Sequence, residues 1–176
     1  IFVSAFNTAP LAANPEYALR DEFDHIQTAI NALGKLTDGG VHFSLNSATY
    51  SGTPFHKIEN VIPHVFTGKH PAGNVGVQIH HISPIRKGET VWTVSLLMLA
   101  AIGKLFNTGK YDLKRKIAVT GPKANNPAYV EGYPGIAIKD VADFYNASED
   151  LRFVSGDVLT GTNVGKPRDK ADWKSY

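Results

Sequence analysis

The 176-residue chain contains no cysteine, and this absence removes several kinds of chemistry at once. Without thiols the chain cannot form a disulfide, give a thiolate to zinc, ligate an iron–sulfur cluster or use a cysteine nucleophile. A cysteine-free composition is compatible with a reducing compartment, where disulfides are rare. Iron–sulfur and thiolate chemistry are therefore excluded within this chain.

Long hydrophobic runs and a strong charge excess are also missing. No apolar run reaches the ~18 residues that cross a bilayer. The most apolar stretch, 95–106, is interrupted by Gly103 and Lys104 and predicts a buried helix. The net charge is +2, and no basic stripe interleaved with aromatics indicates nucleic-acid binding. The basic stretch 110–116 is interpreted as a solvated connector.

The first 45 residues have the pattern of a strand–helix–strand unit. The apolar run Ile1–Ala5 is typical of a buried strand. Asn14 is expected to cap a helix that begins at Pro15, and the apolar run Val41–Leu45 predicts the next strand. The helix has one apolar face, formed by Leu19, Phe23, Ile26, Ile30 and Leu33.

The later segments predict more strands and helices, and the last of these elements are short. A helix over 95–108 is expected to end at Gly109. The remaining predicted elements are strands at 57–66, 75–82, 90–94, 115–120, 128–130 and 151–154 and a short helix at 138–145. We expect a mixed α/β layer first, a boundary between Pro122 and Pro127, and a smaller module after it. The chain begins in strand character without methionine and ends in a polar segment, so we expect a domain cut from a larger protein.

Two glycine-bearing turns have the spacing of a phosphate loop without its chemistry. Gly68 and Gly73 have the four-residue gap, but Asn74-Val75 stand where Lys and Ser/Thr are required. Gly73 and Gly76 give half of a dinucleotide fingerprint, and we expect this half to lead into a strand and not into a helix. The turn 156–161 has the same defect. The sequence therefore argues against nucleotide binding.

Seven histidines raise the question of a metal site. His80 and His81 are adjacent, so on the expected strand they would point to opposite faces and could not hold one ion. His64 and His70 could join His80 only through the fold, and no acidic cluster lies nearby. We interpret these histidines as surface or hydrogen-bonded residues, and no metal site is expected.

Two short motifs are treated as chance matches. Residues 46–49 (NSAT) are similar to the motif on which some proteins attach FMN to threonine, with Asn46 in place of the expected Asp or Ser. Residues 146–148 form a glycosylation sequon, which matters only in a secreted eukaryotic chain. No nucleophile elbow, paired carboxylates or Ser/His/Asp arrangement is present, so no catalytic residue is predicted.

The run GKHPAGNVGVQIHHISPI at 68–85, followed by ETVWTVSLLMLAAIGKLFNTGKY at 89–111, resembles the NqrA subunit of the sodium-pumping NADH:quinone reductase. Segments 1–15, 121–130 and 151–162 resemble it in the same order. Two departures are residues 96–98 (LLM), where many members have tyrosine-glutamine-aspartate, and the tail KPRDKADWKSY. The signature positions, expected to be structural, are His70, Pro71, Gly73, Gly76, His80, Trp92 and Gly103.

The resemblance implies a fold. It implies a Rossmann-like α/β layer over 1–124, similar to the flavoprotein subunit of respiratory complex I. A small β-grasp module of the soluble-ligand-binding (SLBB) type would follow over 125–165, with a polar tail over 166–176. The chain would then be the central fragment of a longer subunit.

The resemblance also implies a role. The chain would be an accessory, quinone-interacting subunit fragment of a complex that passes electrons from NADH to quinone and exports Na⁺. It would have no cofactor of its own, with FAD, FMN, riboflavin and iron–sulfur centres in partner subunits. It would lie at the cytoplasmic face of the bacterial inner membrane, reach the membrane only through those subunits, and be inactive alone.

The loop after the first strand supplies the candidate ligand residues. It is expected at the carboxyl end of a parallel strand, where open α/β sheets bind ligands. The quinone or ligand candidates are Asn7, Thr8, Pro10 and Leu11. One alternative is a flavin- or nucleotide-binding subunit, and another is a component of an Rnf-type electron-transfer complex.

Overall fold

The computed structural model of the chain describes residues 1–141 and 151–164. Its contacts divide the chain into two compact units. The first comprises Ile1–Thr8 and Asn14–Asp112, and the second comprises Ala9–Ala13 and Leu113–Tyr176. Among the described residues, no helix has the length and apolarity needed to cross a membrane.

A parallel sheet forms the centre of the first unit. Its strands β1 (Phe2–Ser4), β2 (His42–Asn46) and β3 (Ile62–Phe66) lie side by side in that order. On the free side of β1, the Phe2 amide donates to the Trp92 carbonyl at 2.8 Å, and the Val94 amide donates to the Phe2 carbonyl at 3.1 Å. The segment predicted as a strand at 90–94 therefore makes an isolated parallel bridge through Thr93.

The outer strand β3 is largely exposed. The Ile62 amide donates to the Val41 carbonyl and the Phe66 carbonyl accepts from Ser47, each at 2.8 Å, so these two residues face β2. By alternation, Pro63 and Val65 direct their backbone groups away from the sheet. Proline has no N–H to leave unpaired there. The strand was predicted over 57–66 but covers only Ile62–Phe66. Its predicted first residue, Lys57, instead ends a 3-10 turn that begins at Pro54.

The predicted helix from Pro15 to Leu33 divides into two. Asn14 Oδ1 accepts from the Glu16 and Tyr17 amides at 2.8 and 3.3 Å, which confirms the expected cap. Leu19 then leaves the helical region with φ −115°. The resulting helices are α1 (Pro15–Ala18) and α2 (Phe23–Leu33).

The next two helices are α3 (Val75–Ile82) and α4 (Leu96–Thr108). The predicted boundaries of α4 are confirmed: Ser95 Oγ accepts from the Met98 amide at 3.2 Å, and Gly109 ends the helix at φ 69°. Glycine suits this left-handed end because it carries no Cβ.

The strand predicted over 75–82 is wrong, because this segment is α3. Residue 93 runs parallel to β1, and parallel neighbours need a crossover connection, usually helical. Val75, Gln78 and Ile79 are also spaced as one helical face, and Gln78 and Ile79 are buried. The alternation of Val75, Val77 and Ile79 is typical of a strand, but Val75, Ile79 and Ile82 also recur at the spacing of one helical face.

Helices α2 and α4 pack together to form most of the core. They cross most closely at Gly103, where a Cβ would lie 1.6 Å from the His25 carbonyl oxygen. No side chain fits at this point, so the crossing requires glycine. The buried residues that meet between the helices and the sheet are Ile26, Ala29, Ile30, Leu96, Leu99, Ala100, Val3, Phe43 and Leu45.

The described residues of the second unit form two antiparallel pairs of strands. Strands β4 (Arg115–Val119) and β5 (Ala128–Gly132) form one pair, and β6 (Val154–Ser155) and β7 (Thr162–Asn163) form the other. Helix α5 (Ile138–Val141) covers the start of the predicted helix 138–145. Residues 142–145, the sequon at 146–148 and the tail 166–176 lie outside the described residues.

Candidate functional site

The carboxyl ends of the three parallel strands lie at one edge of the sheet, here called the carboxyl edge. Three segments leave the sheet there: the segment after β1, starting at Ala5, the segment after β2, starting at Ser47, and the loop 67–74, which connects β3 to α3. The first and the third are bonded to each other. Open α/β sheets bind their ligands at this edge. Within the first unit, residues 5–8 and 67–74 are therefore the candidate site.

Gln78 connects α3 to both segments. Its side-chain Nε2 donates to Ser4 Oγ at 2.9 Å and to the Ala72 carbonyl at 3.0 Å. Ser4 Oγ also lies within hydrogen-bond distance of the Phe6 and Gly73 carbonyls, at 3.1 and 3.2 Å. Gln78 is fully buried, and its Oε1 atom has no partner among the described residues. These contacts fix the loop 67–74 against the end of β1.

Thr8 forms the second connection across the carboxyl edge. The Gly73 amide donates to Thr8 Oγ1 at 3.0 Å, and the same oxygen lies 3.3 Å from His70 Nδ1. A Cβ on Gly73 would lie 2.7 Å from the Thr8 amide nitrogen and 2.9 Å from Thr8 Oγ1, so the two segments approach too closely for any other residue. The His70–Pro71 peptide bond is cis.

The four predicted ligand candidates fall in different units. Asn7 and Thr8 belong to the first unit, whereas Pro10 and Leu11 belong to the second. The Leu11 carbonyl accepts from Thr120 Oγ1 at 3.3 Å, and Leu11 has a positive φ of 60°. Neither unit contains all four, so they do not form one cluster within a unit.

The remaining signature positions lie apart from the Thr8–His70 contact. Gly76 faces open space. His80 is exposed, and its ring lies 5.7 Å from that of His81. Because α3 is a helix, the expectation that these two histidines point to opposite faces is wrong; helical neighbours are about 100° apart. The Trp92 side chain is 70% exposed, although its carbonyl pairs with Phe2.

A histidine pair that the sequence did not predict lies on β2 and β3. His42 Nδ1 and His64 Nε2 are 2.9 Å apart, and the Phe2 ring stacks on His42 at a centroid distance of 4.4 Å. Burial lowers the pKa of both histidines, and for His42 the charge of His64 lowers the pKa further. Only the strand register brings the pair together, so spacing along the chain gave no signal.

His64, His70 and His80, which could have come together only through the fold, do not converge. His64 pairs with His42, and His70 with Thr8. In the parts of the chain that the structure describes, no three histidine or acidic side chains are grouped to hold a metal ion.

A depression of about 500 Å³ lies at the opposite, amino edge of the sheet. Its lining residues precede β2 and β3 or end α2, and Asn60 Nδ2 donates to Asn31 Oδ1 there at 3.0 Å. The depression is open, and its lining includes no histidine or carboxylate. Its size alone therefore does not indicate a reactive site. The lining residues are Ile30, Asn31, Gly34, Lys35, Gly40, Val41 and Asn60.

Comparison with known proteins matches the two parts of the chain to one family. The family model described as "NqrA second alpha/beta domain" matches residues 1–111, and the SLBB-type model described as "NQRA C-terminal domain" matches residues 116–166. The chain belongs to the NqrA family. The first match covers more than half of the chain, including the whole parallel sheet and helices α1 to α4.

Curated relatives of the NqrA family agree along almost the whole chain. The A subunits of Na(+)-translocating NADH-quinone reductase from Rhodopirellula baltica and Alcanivorax borkumensis are 40% and 36% identical over 162 and 167 residues. The protein of the same name from Vibrio atlanticus is 34% identical over 167 residues. These alignments cover 92–95% of this chain but only 35–37% of the relatives. The chain therefore spans about a third of their length.

Proposed function

We propose that this chain is the central, quinone-interacting and scaffolding part of the NqrA subunit of a Na⁺-translocating NADH:quinone reductase. The observation that carries the proposal is the match of two NqrA family models in chain order, over residues 1–111 and 116–166. In this proposal the complex transfers electrons from NADH to quinone and exports Na⁺. The chain itself contributes binding and support, with no catalytic residue.

The proposal includes the partners and the location. FAD, FMN, riboflavin and iron–sulfur centres belong to partner subunits, while this chain has no redox centre and is inactive alone. The absence of cysteine supports the iron–sulfur part of this assignment, since clusters are held by cysteine thiolates. The chain lies at the cytoplasmic face of the bacterial inner membrane and contacts the membrane only through the other subunits.

The finer fold assignment is also a proposal. The parallel sheet of the first unit supports a Rossmann-like layer similar to the flavoprotein subunit of complex I. The second unit, with its short antiparallel pairs, is proposed to be a β-grasp module. The domain ranges 1–124, 125–165 and 166–176 remain predictions.

A chimeric subunit tests the role directly. The corresponding third of the NqrA subunit from Vibrio alginolyticus, one of the matched relatives, is replaced by residues 1–166 of this chain. We expect the chimera to assemble with the other subunits and to retain Na⁺-dependent quinone reduction. A chimera that folds but is excluded from the complex would contradict the scaffolding role.

One observation favours a second candidate, a nucleotide- or flavin-binding domain. The loop Gly68–Gly73 follows β3 and leads into the helix α3, as phosphate-binding loops do. Asn74 and Val75 still lack the lysine and hydroxyl of a phosphate loop. The full chain is purified with added FMN or ATP and passed through gel filtration. Nucleotide that elutes with the protein at one equivalent favours this candidate, and protein without nucleotide favours the accessory role.

A further inference from the structure

The contact between Thr8 and His70 determines how the histidine ring is presented at the carboxyl edge. Thr8 Oγ1 accepts a hydrogen bond from the Gly73 amide at 3.0 Å and lies 3.3 Å from His70 Nδ1. Thr8 and His70 are both half-buried. Turning the Thr8 hydroxyl away from the imidazole would also break its hydrogen bond with the Gly73 amide.

The direction of this contact determines the histidine tautomer. A hydroxyl has one proton to donate and two lone pairs to accept. Thr8 accepts from Gly73 with one lone pair, so at His70 Nδ1 it either donates its proton or accepts with its second lone pair. When Thr8 donates to Nδ1, the neutral imidazole carries its proton on Nε2.

With Thr8 as the donor, the Nε2 atom is a hydrogen-bond donor in either protonation state of His70. In the neutral ring the proton is then on Nε2, and in the charged ring both nitrogens are protonated. No hydrogen-bond partner of Nε2 is found in the described ranges. In this tautomer the carboxyl edge presents a half-buried N–H donor on a loop that is held by Ser4, Thr8 and Gln78.

We propose that His70 is a binding residue that donates a hydrogen bond from Nε2 to a carbonyl oxygen of a quinone, and that Thr8 is its positioning residue. This inference rests on the proposed quinone interaction of the chain. A quinone ring presents two carbonyl oxygens that only accept hydrogen bonds, so a neutral N–H donor complements it without burying a charge. A site of this kind needs few polar groups, placed to fix the ligand's orientation.

The test titrates the full 176-residue chain with ubiquinone-1 and compares three substitutions. His70→Phe keeps a flat ring without the donor, and we expect Kd to rise about 3- to 10-fold, as for the loss of one hydrogen bond to a neutral acceptor. Thr8→Val removes the hydroxyl at nearly constant shape and should weaken binding by a smaller factor. Thr8→Ser retains the hydroxyl and should restore wild-type affinity.

A spectroscopic measurement separates positioning from mere support of the fold. The ¹⁵N shifts of the His70 ring should report the Nε2-protonated form in the wild type and in Thr8→Ser, and a mixture of tautomers in Thr8→Val. A wild-type ring protonated on Nδ1 when neutral would overturn the assignment. This readout remains available even where a variant binds no ligand.

The outcomes distinguish this inference from the proposed function. If the wild-type chain shows no saturable binding of ubiquinone-1, the quinone interaction of the chain fails. If the wild type binds and a folded His70→Phe variant binds equally well, the role of His70 alone fails. If Thr8→Ser weakens binding as much as Thr8→Val, the hydroxyl is not what positions the ring.

Discussion

The two ends of the parallel sheet differ: hydrogen-bonded segments meet at the carboxyl edge, and an open depression lies at the amino edge. At the carboxyl edge, buried Gln78 and half-buried Thr8 connect the loop 67–74 to the end of β1 through hydrogen bonds of 2.9 to 3.0 Å. At the amino edge there is a depression of about 500 Å³. The polar groups that specify a geometry and this open space are therefore at opposite ends of the sheet.

The difference reflects the topology of the chain. All three strands end at the carboxyl edge, so the segments that leave them meet there and can be fixed against one another. At the amino edge the chain enters β2 after α2 and enters β3 after a turn. Gly40 and Asn60, which lie just before these strands, have left-handed conformations. The carboxyl edge is thus more sensitive to small changes of shape, and the following predictions test this difference.

The largest effect is expected when a methyl group is added at Gly73. The new Cβ in Gly73→Ala would lie 2.7 Å from the Thr8 amide nitrogen, so one of the two segments must move. We expect a loss of about 2–3 kcal/mol in the free energy of unfolding, as for overpacking in a tight site. Urea denaturation of the chain measures it.

Gly34→Ala at the amino edge is the matched control. Gly34 has helical φ and ψ of −59° and −20°, and no atom lies within 4 Å of the position that a Cβ would take there. This substitution should be neutral or should stabilise by about 0.5 kcal/mol, since alanine restricts the unfolded chain. Equal destabilisation by both substitutions would remove the distinction between the two edges.

A smaller effect is expected for Gln78→Leu. The substitution removes the hydrogen bonds to Ser4 and Ala72 but also removes the unpaired Oε1, so we expect a net loss of about 1–2 kcal/mol. Gln27→Leu is the comparison near the amino edge, where a half-buried glutamine bonds the Glu59 backbone at 2.8 and 3.0 Å. It should cost less than Gln78→Leu, and the reverse order in urea denaturation would contradict the comparison.

A third prediction concerns Asn60, whose φ is 59°. Asn60→Ala should cost about 1 kcal/mol because alanine tolerates the left-handed region poorly. Asn60→Gly should be close to neutral, since glycine accepts this conformation and the lost bond to Asn31 is exposed. Thermal unfolding of the two variants compares them. If the alanine and glycine variants were equally stable, the backbone conformation would not be what Asn60 supplies.

The smallest effect is expected from pH, through the histidine pair of β2 and β3. Burial lowers the pKa of His42 and His64 in the folded chain, so the unfolded chain binds protons first as the pH falls below about 6.5. Stability contributed by the neutral pair is therefore present above that pH and is lost as the pH falls toward the folded pKa values. The free energy of unfolding, measured from about pH 7.5 to about pH 5, should depend on pH less steeply in His64→Gln. Identical slopes in the two proteins would rule out this contribution.

The sequence predicted elements whose signals are local. The Asn14 cap and the Gly109 end of α4 depend on a few neighbouring residues, and both are confirmed. The break after Ala18 and the helix α3 were not predicted. In α3 the apolar residues fit both a strand and a helix, and the position of Thr93 beside β1 decided the matter. That information is in the topology and not in residues 75–82.

The candidate site was only partly predictable for the same reason. The family signature indicated that His70 and Gly73 matter, and the position after β1 indicated Asn7 and Thr8. That Thr8 Oγ1 bonds both Gly73 and His70 depends on contacts between residues more than 60 positions apart, which no spacing rule gives. The His42–His64 pair likewise required the strand register.

Pro63 has a consequence for how this protein meets its neighbours. A foreign strand that approached β3 would find no amide proton at residue 63, so it could not form a continuous ladder along that strand. Edge-to-edge polymerisation, a hazard for a chain with an open sheet, is discouraged at this position. A neighbouring protein on this side would instead contact the apolar side chains of Ile62 and Val65, which are 44% and 53% exposed. Recognition here would depend on the shape of side chains and not on extension of the sheet.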